Sequence, residues 1–243
     1  QKGGVGKTTT AINLGAALAA LGQRVLVIDC DPQGNASRGL GVDATPPHLY
    51  HVMSGEATIS EAISGTELPS LNVIASNRDL VGVEVEFVGK VGWENILKRH
   101  LESLGGTYDT ILLDCPPSLG HLTISALVAA TGVLVPLQCE YYPLEGVSEL
   151  VATIRRVRRN LNPALTITGI LLTMFDERTN LARDVAREVR EHFTGTVYET
   201  VVPRNVRLAE APSHGVSVLQ HDIKSRGAEA YLALAREFLR RAA

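Results

Sequence analysis

Lys7 and Thr8 follow the turn Gly3-Gly4-Val5-Gly6 directly and open a run with helical periodicity. That order of residue types makes a phosphate cradle. The backbone N–H groups of the turn point at phosphate oxygens, Lys7 reaches the β/γ oxygens, and the Thr8 hydroxyl can bind Mg2+. In the usual spacing G-x-x-x-x-G-K-[ST] a glycine would stand first. Here Gln1 stands there, and a second cation, Lys2, sits at the mouth of the cradle. An ordinary tight turn accounts for Gly3, Gly4 and Gly6, but not for Lys7 and Thr8 at the required distance. Lys2, Gly3, Gly4, Val5, Gly6, Lys7, Thr8 and Thr9 are therefore the expected contacts of a phosphate-bearing ligand.

Three carboxylates belong with that cradle. Asp114 ends an apolar strand, where it can hold Mg2+ directly or through water, and Pro116-Pro117 stiffen the turn after it. Aspartate is also common at strand ends as a turn or capping residue. Asp29 and Asp31 alternate at the end of another strand and point to opposite sides if the strand persists. One would face the γ-phosphate while the other braces Mg2+ or the cradle. Pro32-Gln33-Gly34 turns the chain so that Asp31 lies over the phosphates. Asp31 is expected to orient an attacking water and accept its proton. A carboxylate beside a triphosphate is a poor base, which suits slow, switch-like hydrolysis. The expected metal-binding residues are Thr8, Asp29 and Asp114.

The elements that must position these residues alternate along the chain. Helical periodicity over 7–21 stops at Gly22, and RVLVID (24–29) reads as a strand. Residues 48–64 and 91–104 are predicted helices, with strands at 71–75 and 108–114. Helix 122–130, strand 132–138, helix 144–161 and strand 167–175 follow. Helix 181–193, strand 196–203 and helix 228–241 complete the chain, and Pro46-Pro47 marks a turn. Near-continuous apolar strands with intervening helices predict an α/β fold: a mostly parallel, doubly wound sheet with helices on both faces, of the P-loop NTPase type. With 243 residues and no visible boundary, one domain spans 1–243. A P-loop needs a strand before it, so the first strand is expected upstream of residue 1. Ligands in such sheets sit outside the carboxyl ends of the strands, where the cradle, Asp29–Asp31 and Asp114 would meet.

The net charge of −3 conceals an asymmetry. Residues 1–150 hold 8 Lys+Arg against 16 Asp+Glu, whereas residues 151–243 hold 15 against 10, all but one of the 15 being arginine. Solvated helix faces account for this pattern, and so does an anionic partner such as DNA approaching the C-terminal half.

KGGVGKTTT, DCDPQGN, ILLDCPPSLG, VPLQCEYYPLEG, LLTMFDERTN and VPRNVRLAEAPSHG occur in order over essentially the whole chain. Together they resemble the ParA/Soj partitioning ATPases, deviant Walker A relatives of MinD. The resemblance implies slow, partner-stimulated hydrolysis of ATP to ADP with Mg2+. It makes Lys2 the signature lysine, which crosses to the partner's nucleotide phosphates in an ATP-bound homodimer, so Lys2 joins Asp31 as a catalytic residue. On the residues alone, Lys2 contacting only its own phosphates remains open. Pro203 and Asn205 match the loop that holds the adenine. Arg178 and Arg207 match contacts to nonspecific double-stranded DNA, although by themselves they read sooner as surface or salt-bridged arginines. The implied partners are nucleoid DNA and a ParB-type centromere-binding protein, and the implied location is the cytoplasm, on the nucleoid. Which replicon is segregated is left open.

The alternative is a membrane-surface positioning ATPase of MinD type. The last helix carries Tyr231, Leu234, Ala235 and Phe238 on one face, but ends in Arg240 and Arg241 without a further apolar run, which favours packing onto the core. Cys30, Cys115 and Cys139 form no C-x-x-C pair and read as packing residues in a reducing compartment. His100, His121, His192 and His214 have no metal-ligand spacing.

Overall fold

The computed structural model describes residues 3–139 and 143–242, with only the helix described for 143–146. The elements run in the order α1 (Lys7–Ala20), β1 (Val25–Asp29), α2 (Asn35–Gly39), α3 (Leu49–Ser54), β2 (Ile63–Gly65), β3 (Leu71–Ile74), α4 (Val81–Glu86), α5 (Ile96–Glu102) and β4 (Thr110–Asp114). Then come α6 (His121–Ala129), β5 (Gly132–Gln138), α7 (Pro143–Asn160), β6 (Thr166–Phe175), α8 (Asn180–His192), β7 (Val197–Pro203), α9 (Val206–Glu210), α10 (Val218–His221) and α11 (Arg226–Ala242).

All strand pairs but one are parallel, and helices cover both sides, as the apolar strands require. Among the described residues the strands pair as two sets, β2-β3-β1-β4 and β5-β6-β7. One core nevertheless spans both sets. Ile12, Leu14 and Leu18 of α1 pack with Val25, Val27, Leu71 and Val73 on one side and with Leu171, Tyr198 and Val202 on the other. Each such side chain contributes about 1.5–3 kcal/mol of transfer free energy. Gly15 is what lets α1 approach β1: a Cβ there would stand 3.1 Å from the Val27 side chain. Tyr231, Leu234 and Ala235 of α11 are buried against the same core and Phe238 packs beside them, as their spacing predicts. The Tyr231 hydroxyl lies 3.2 Å from Thr10 Oγ1 on α1.

Two predicted helices are corrected. The segment 48–64 is helical only to Ser54, because Gly55 takes a left-handed conformation (φ 88) and stops it. Ser60–Ala62 then forms a 3-10 turn and Ile63–Gly65 the antiparallel edge strand β2. In 91–104, Gly92 is also left-handed, so a 3-10 turn at Trp93–Asn95 precedes α5.

Candidate functional site

The turn before α1 is left-handed at Gly4 (φ 79) and at Gly6 (φ 90), conformations that only glycine adopts cheaply. Gly6 is the N-cap and has no side chain to offer, so the first N–H groups of α1 are left for an anion and lie at the positive end of the helix dipole. Thr173, near the end of β6, holds the turn from below through a 2.9 Å hydrogen bond from its hydroxyl to the Val5 carbonyl. β6 is irregular at this point, and Met174, at φ 50, is the one non-glycine residue with positive φ among the described residues.

Asp29 and Asp114 end the adjacent strands β1 and β4 in register, with relative exposures of 0% and 2%. Their surroundings differ. Asp29 accepts hydrogen bonds from the Ser37 amide (2.8 Å), the Ser37 hydroxyl (2.7 Å) and the Asp31 amide (3.2 Å). Burial raises its pKa above the usual carboxylate range, and these donors pull it part of the way back. Asp114 accepts a hydrogen bond from the Thr8 side chain, but its Oδ2 is buried with no partner. Burial, reinforced by the charge of Asp29, pushes the Asp114 carboxyl up to about 7. Nearby Lys7 opposes that rise.

Asp31 is also buried, and its Oδ1 accepts the Gln33 amide at 2.9 Å. Ser76, two residues beyond β3, donates to the Asp31 carbonyl at 2.6 Å, which pins the turn beside the sheet. Gly34 takes φ 64, and a Cβ there would stand 2.5 Å from the Ser76 carbonyl oxygen. The strand does not persist past Asp29, so the turn rather than strand alternation sets the direction of Asp31.

A cleft of about 380 Å³ opens beside the cradle, lined by Thr8, Thr9, Asn35, Arg38, Pro212 and Ser213 among others. Pro203 and Asn205 do not line it. Asn205 instead caps α9, accepting the Arg207 amide at 3.0 Å. Arg178 and Arg207 stand on the outer rim beyond β6 and β7, where each is ion-paired. Arg178 grips Asp176 (2.8 and 2.7 Å), and Arg207 reaches Glu210 (2.7 Å) and Asp222 (3.4 Å). The Arg178 guanidinium holds the Asp176 carboxyl well below the usual range. Lys2 lies outside the described residues.

Residues 1–167 match the model of a family described as an AAA domain. Over 245 residues the chain is 54% identical to chromosome partitioning protein ParA of Caulobacter vibrioides, covering 99% of this chain and 92% of that one. It is 52% identical over 239 residues to sporulation initiation inhibitor protein Soj of Bacillus subtilis, covering 98% and 94% of the two chains. The chain belongs to the ParA/Soj family of chromosome-partitioning ATPases. Among solved structures, cobyrinic acid a,c-diamide synthase of Mycobacterium smegmatis, with a bound ATP analogue and magnesium, matches with a TM-score of 0.88 and 38% identity. That match covers all of this chain and 92% of the other.

The hydrogen bonds around the site bring in three further residues that the sequence did not mark. Ser37 and Ser76 fix Asp29 and the Asp31 turn, and Thr173 supports the cradle from 168 positions away. No local pattern announces such contacts. The cysteines are held as thiols by their surroundings: burial pushes Cys115 up to about 12 and Cys139 up to about 11, well away from reactive thiolates.

Proposed function

We propose that this chain is a slow ATPase whose ATP-bound state forms a sandwich dimer that holds double-stranded DNA without regard to sequence. A ParB-type centromere-binding protein stimulates hydrolysis, and the dimer then separates and leaves DNA. The observation that carries this reading is the Thr8–Asp114 pair beneath the uncapped start of α1, in a chain more than half identical to a chromosome partitioning ParA.

The residues fit a nucleotide with Mg2+. Among the described residues no group of three or more His, Cys, Asp or Glu could hold a metal ion alone. A Mg2+ held largely by phosphates and water needs no such group, only one or two protein oxygens. The Thr8 hydroxyl and the unpartnered Asp114 oxygen supply these, while Asp29, already engaged by three donors, acts as the brace of the Asp31 turn. When bound, Mg2+ neutralises charge on the β and γ oxygens.

The amides of Gly4–Thr9 hold the β-phosphate, Lys7 pairs with the β/γ oxygens, and Asp31 orients water and takes up its proton. Lys2 reaches the partner's phosphates, so dimerisation depends on ATP, and Pro203 and Asn205 hold the base. Arg178 and Arg207 exchange weak exposed ion pairs for DNA phosphates, which places the protein on the nucleoid in the cytoplasm. The membrane-surface alternative gains no support from α11, whose apolar face packs on the core.

Sedimentation with a slowly hydrolysed ATP analogue tests the reading. The analogue should give a dimer and ADP a monomer, and Lys2→Ala should bind nucleotide yet stay monomeric. A normal dimer from Lys2→Ala refutes the trans role. A monomer from the unmodified chain under both conditions refutes the ATP switch.

A further inference from the structure

The cleft beside the cradle is lined by one charged side chain, Arg38, and by no carboxylate. Among the described residues Arg38 has no acidic partner, and its guanidinium donates to the neutral Asn35 Oδ1 at 2.8 Å. Other exposed arginines behave differently. Arg24, Arg178, Arg207 and Arg226 each lie 2.6–3.1 Å from a carboxylate oxygen. A cation without an anion, in a cleft that also holds the positive end of α1, attracts negative charge.

The walls of the cleft are fixed by close contacts. A Cβ at Gly39 would overlap the Ile12 side chain, so α2 lies directly against α1. A Cβ at Gly41 would stand 2.7 Å from the Gly215 carbonyl oxygen, which locks the chain after α2 to the end of the 3-10 turn Ala211–His214. Ser37, next to Arg38, is tied to Asp29 by two hydrogen bonds. The backbone that carries Arg38 is therefore set in place before any ligand arrives, and only the side chain has to reorient.

The volume of about 380 Å³ has room for more than a phosphate group. Thr8 belongs both to the cradle and to the cleft, so a ligand that fills the first continues into the second. The cradle is suited to the β and γ phosphates, and the next units of a nucleotide are the α-phosphate and the ribose. We infer that Arg38 binds the α-phosphate, and that the ribose lies in this cleft beside Thr9 and Ser213. The inference rests on the ATP reading. The 3-10 turn on the far wall follows α9, whose cap is Asn205, so the cleft adjoins the segment proposed to hold the base. Arg38 exchanges one hydrogen bond to a neutral amide for charge-assisted bonds to phosphate.

Calorimetric titration of Arg38→Gln with ATP and with ADP, each with Mg2+, tests the assignment. Both nucleotides carry the α-phosphate, so both should bind about tenfold more weakly than to the parent. KM for ATP should rise by the same factor with kcat unchanged, and Arg38→Lys, which keeps the charge, should recover part of the affinity. Arg38 is exposed, so nucleotide-free thermal unfolding of both variants should match the parent. Parent-like affinity of Arg38→Gln for both nucleotides overturns the proposal. A loss confined to ATP also overturns it, since the guanidinium would then serve the γ-phosphate. So does a fall in kcat at unchanged KM, which would make Arg38 a brace of the Asp31 turn. If the parent chain itself binds neither nucleotide, the ATP reading fails and this inference falls with it.

Discussion

At the ends of β1 and β4, Asp29 and Asp114 are buried side by side, whereas beyond β6 and β7 the side chains of Arg178 and Arg207 stand 84% and 52% exposed. Both edges carry charge, but the charge is held differently. In the buried edge every hydrogen bond counts, because an unpartnered polar atom there is costly. Asp29 has its donors and Asp114 Oδ2 has none, which is why Asp114 rather than Asp29 is proposed to hold Mg2+. In the exposed edge each arginine has found a neighbouring carboxylate, at little free-energy consequence either way. Pairing therefore discriminates between functions at the first edge and not at the second. The same arginines can exchange Asp176 or Glu210 for a phosphate.

The sharpest way to break this contrast is at the cradle. If Lys7 pairs with the β/γ oxygens as proposed, Lys7→Ala should weaken ATP binding about a thousandfold. Equilibrium titration with a fluorescent ATP analogue would show it, and near-normal affinity would remove Lys7 from the site.

Asp114 is next. Its carboxyl titrates near 7 in the folded, nucleotide-free chain, against about 4 when unfolded. Between those values the native state keeps a proton that the unfolded state has lost. This group's contribution to stability therefore falls as pH rises from about 4 to 7 and stays low above that, by roughly 4 kcal/mol in all. Asp114→Asn should gain on the parent as pH rises from 5 to 8 in nucleotide-free thermal unfolding, yet lose Mg2+-dependent ATP binding. A pH-independent stability difference would contradict the burial of Asp114 with its Oδ2 unpartnered.

Asp31→Ala should lower ATP turnover by about a hundredfold with ATP affinity retained. An unchanged rate excludes it as the water-orienting group. The smallest effects belong to the rim. Arg178→Ala and Arg207→Ala should each weaken DNA binding several-fold and lower the salt slope by about 0.9 per contact. Unaltered slopes would leave both arginines as surface ion pairs.

Much of the buried edge was legible from spacing. The glycines, Lys7, Thr8 and the strand-terminal aspartates stand in fixed local order, and burial forces their geometry. The different fates of Asp29 and Asp114 were not legible, because Ser37 and Thr8 reach them through the tertiary fold. The helix read over 48–64 failed because Gly55 ends it and residues 63–65 find a strand partner in β3, a nonlocal contact that periodicity does not encode. α4 was missed for a related reason. Its Val-Gly-Val-Glu-Val-Glu run alternates as a strand would, and only the burial of Val83 and Phe87 makes it a helix with an exposed valine face.

The most direct test is co-sedimentation of the purified chain with double-stranded DNA in ATP, in ADP and without nucleotide. The account predicts retention on DNA with ATP alone, since the buried edge must be filled before two exposed rims can act together. Equal retention in all three conditions, or none in any, would contradict it.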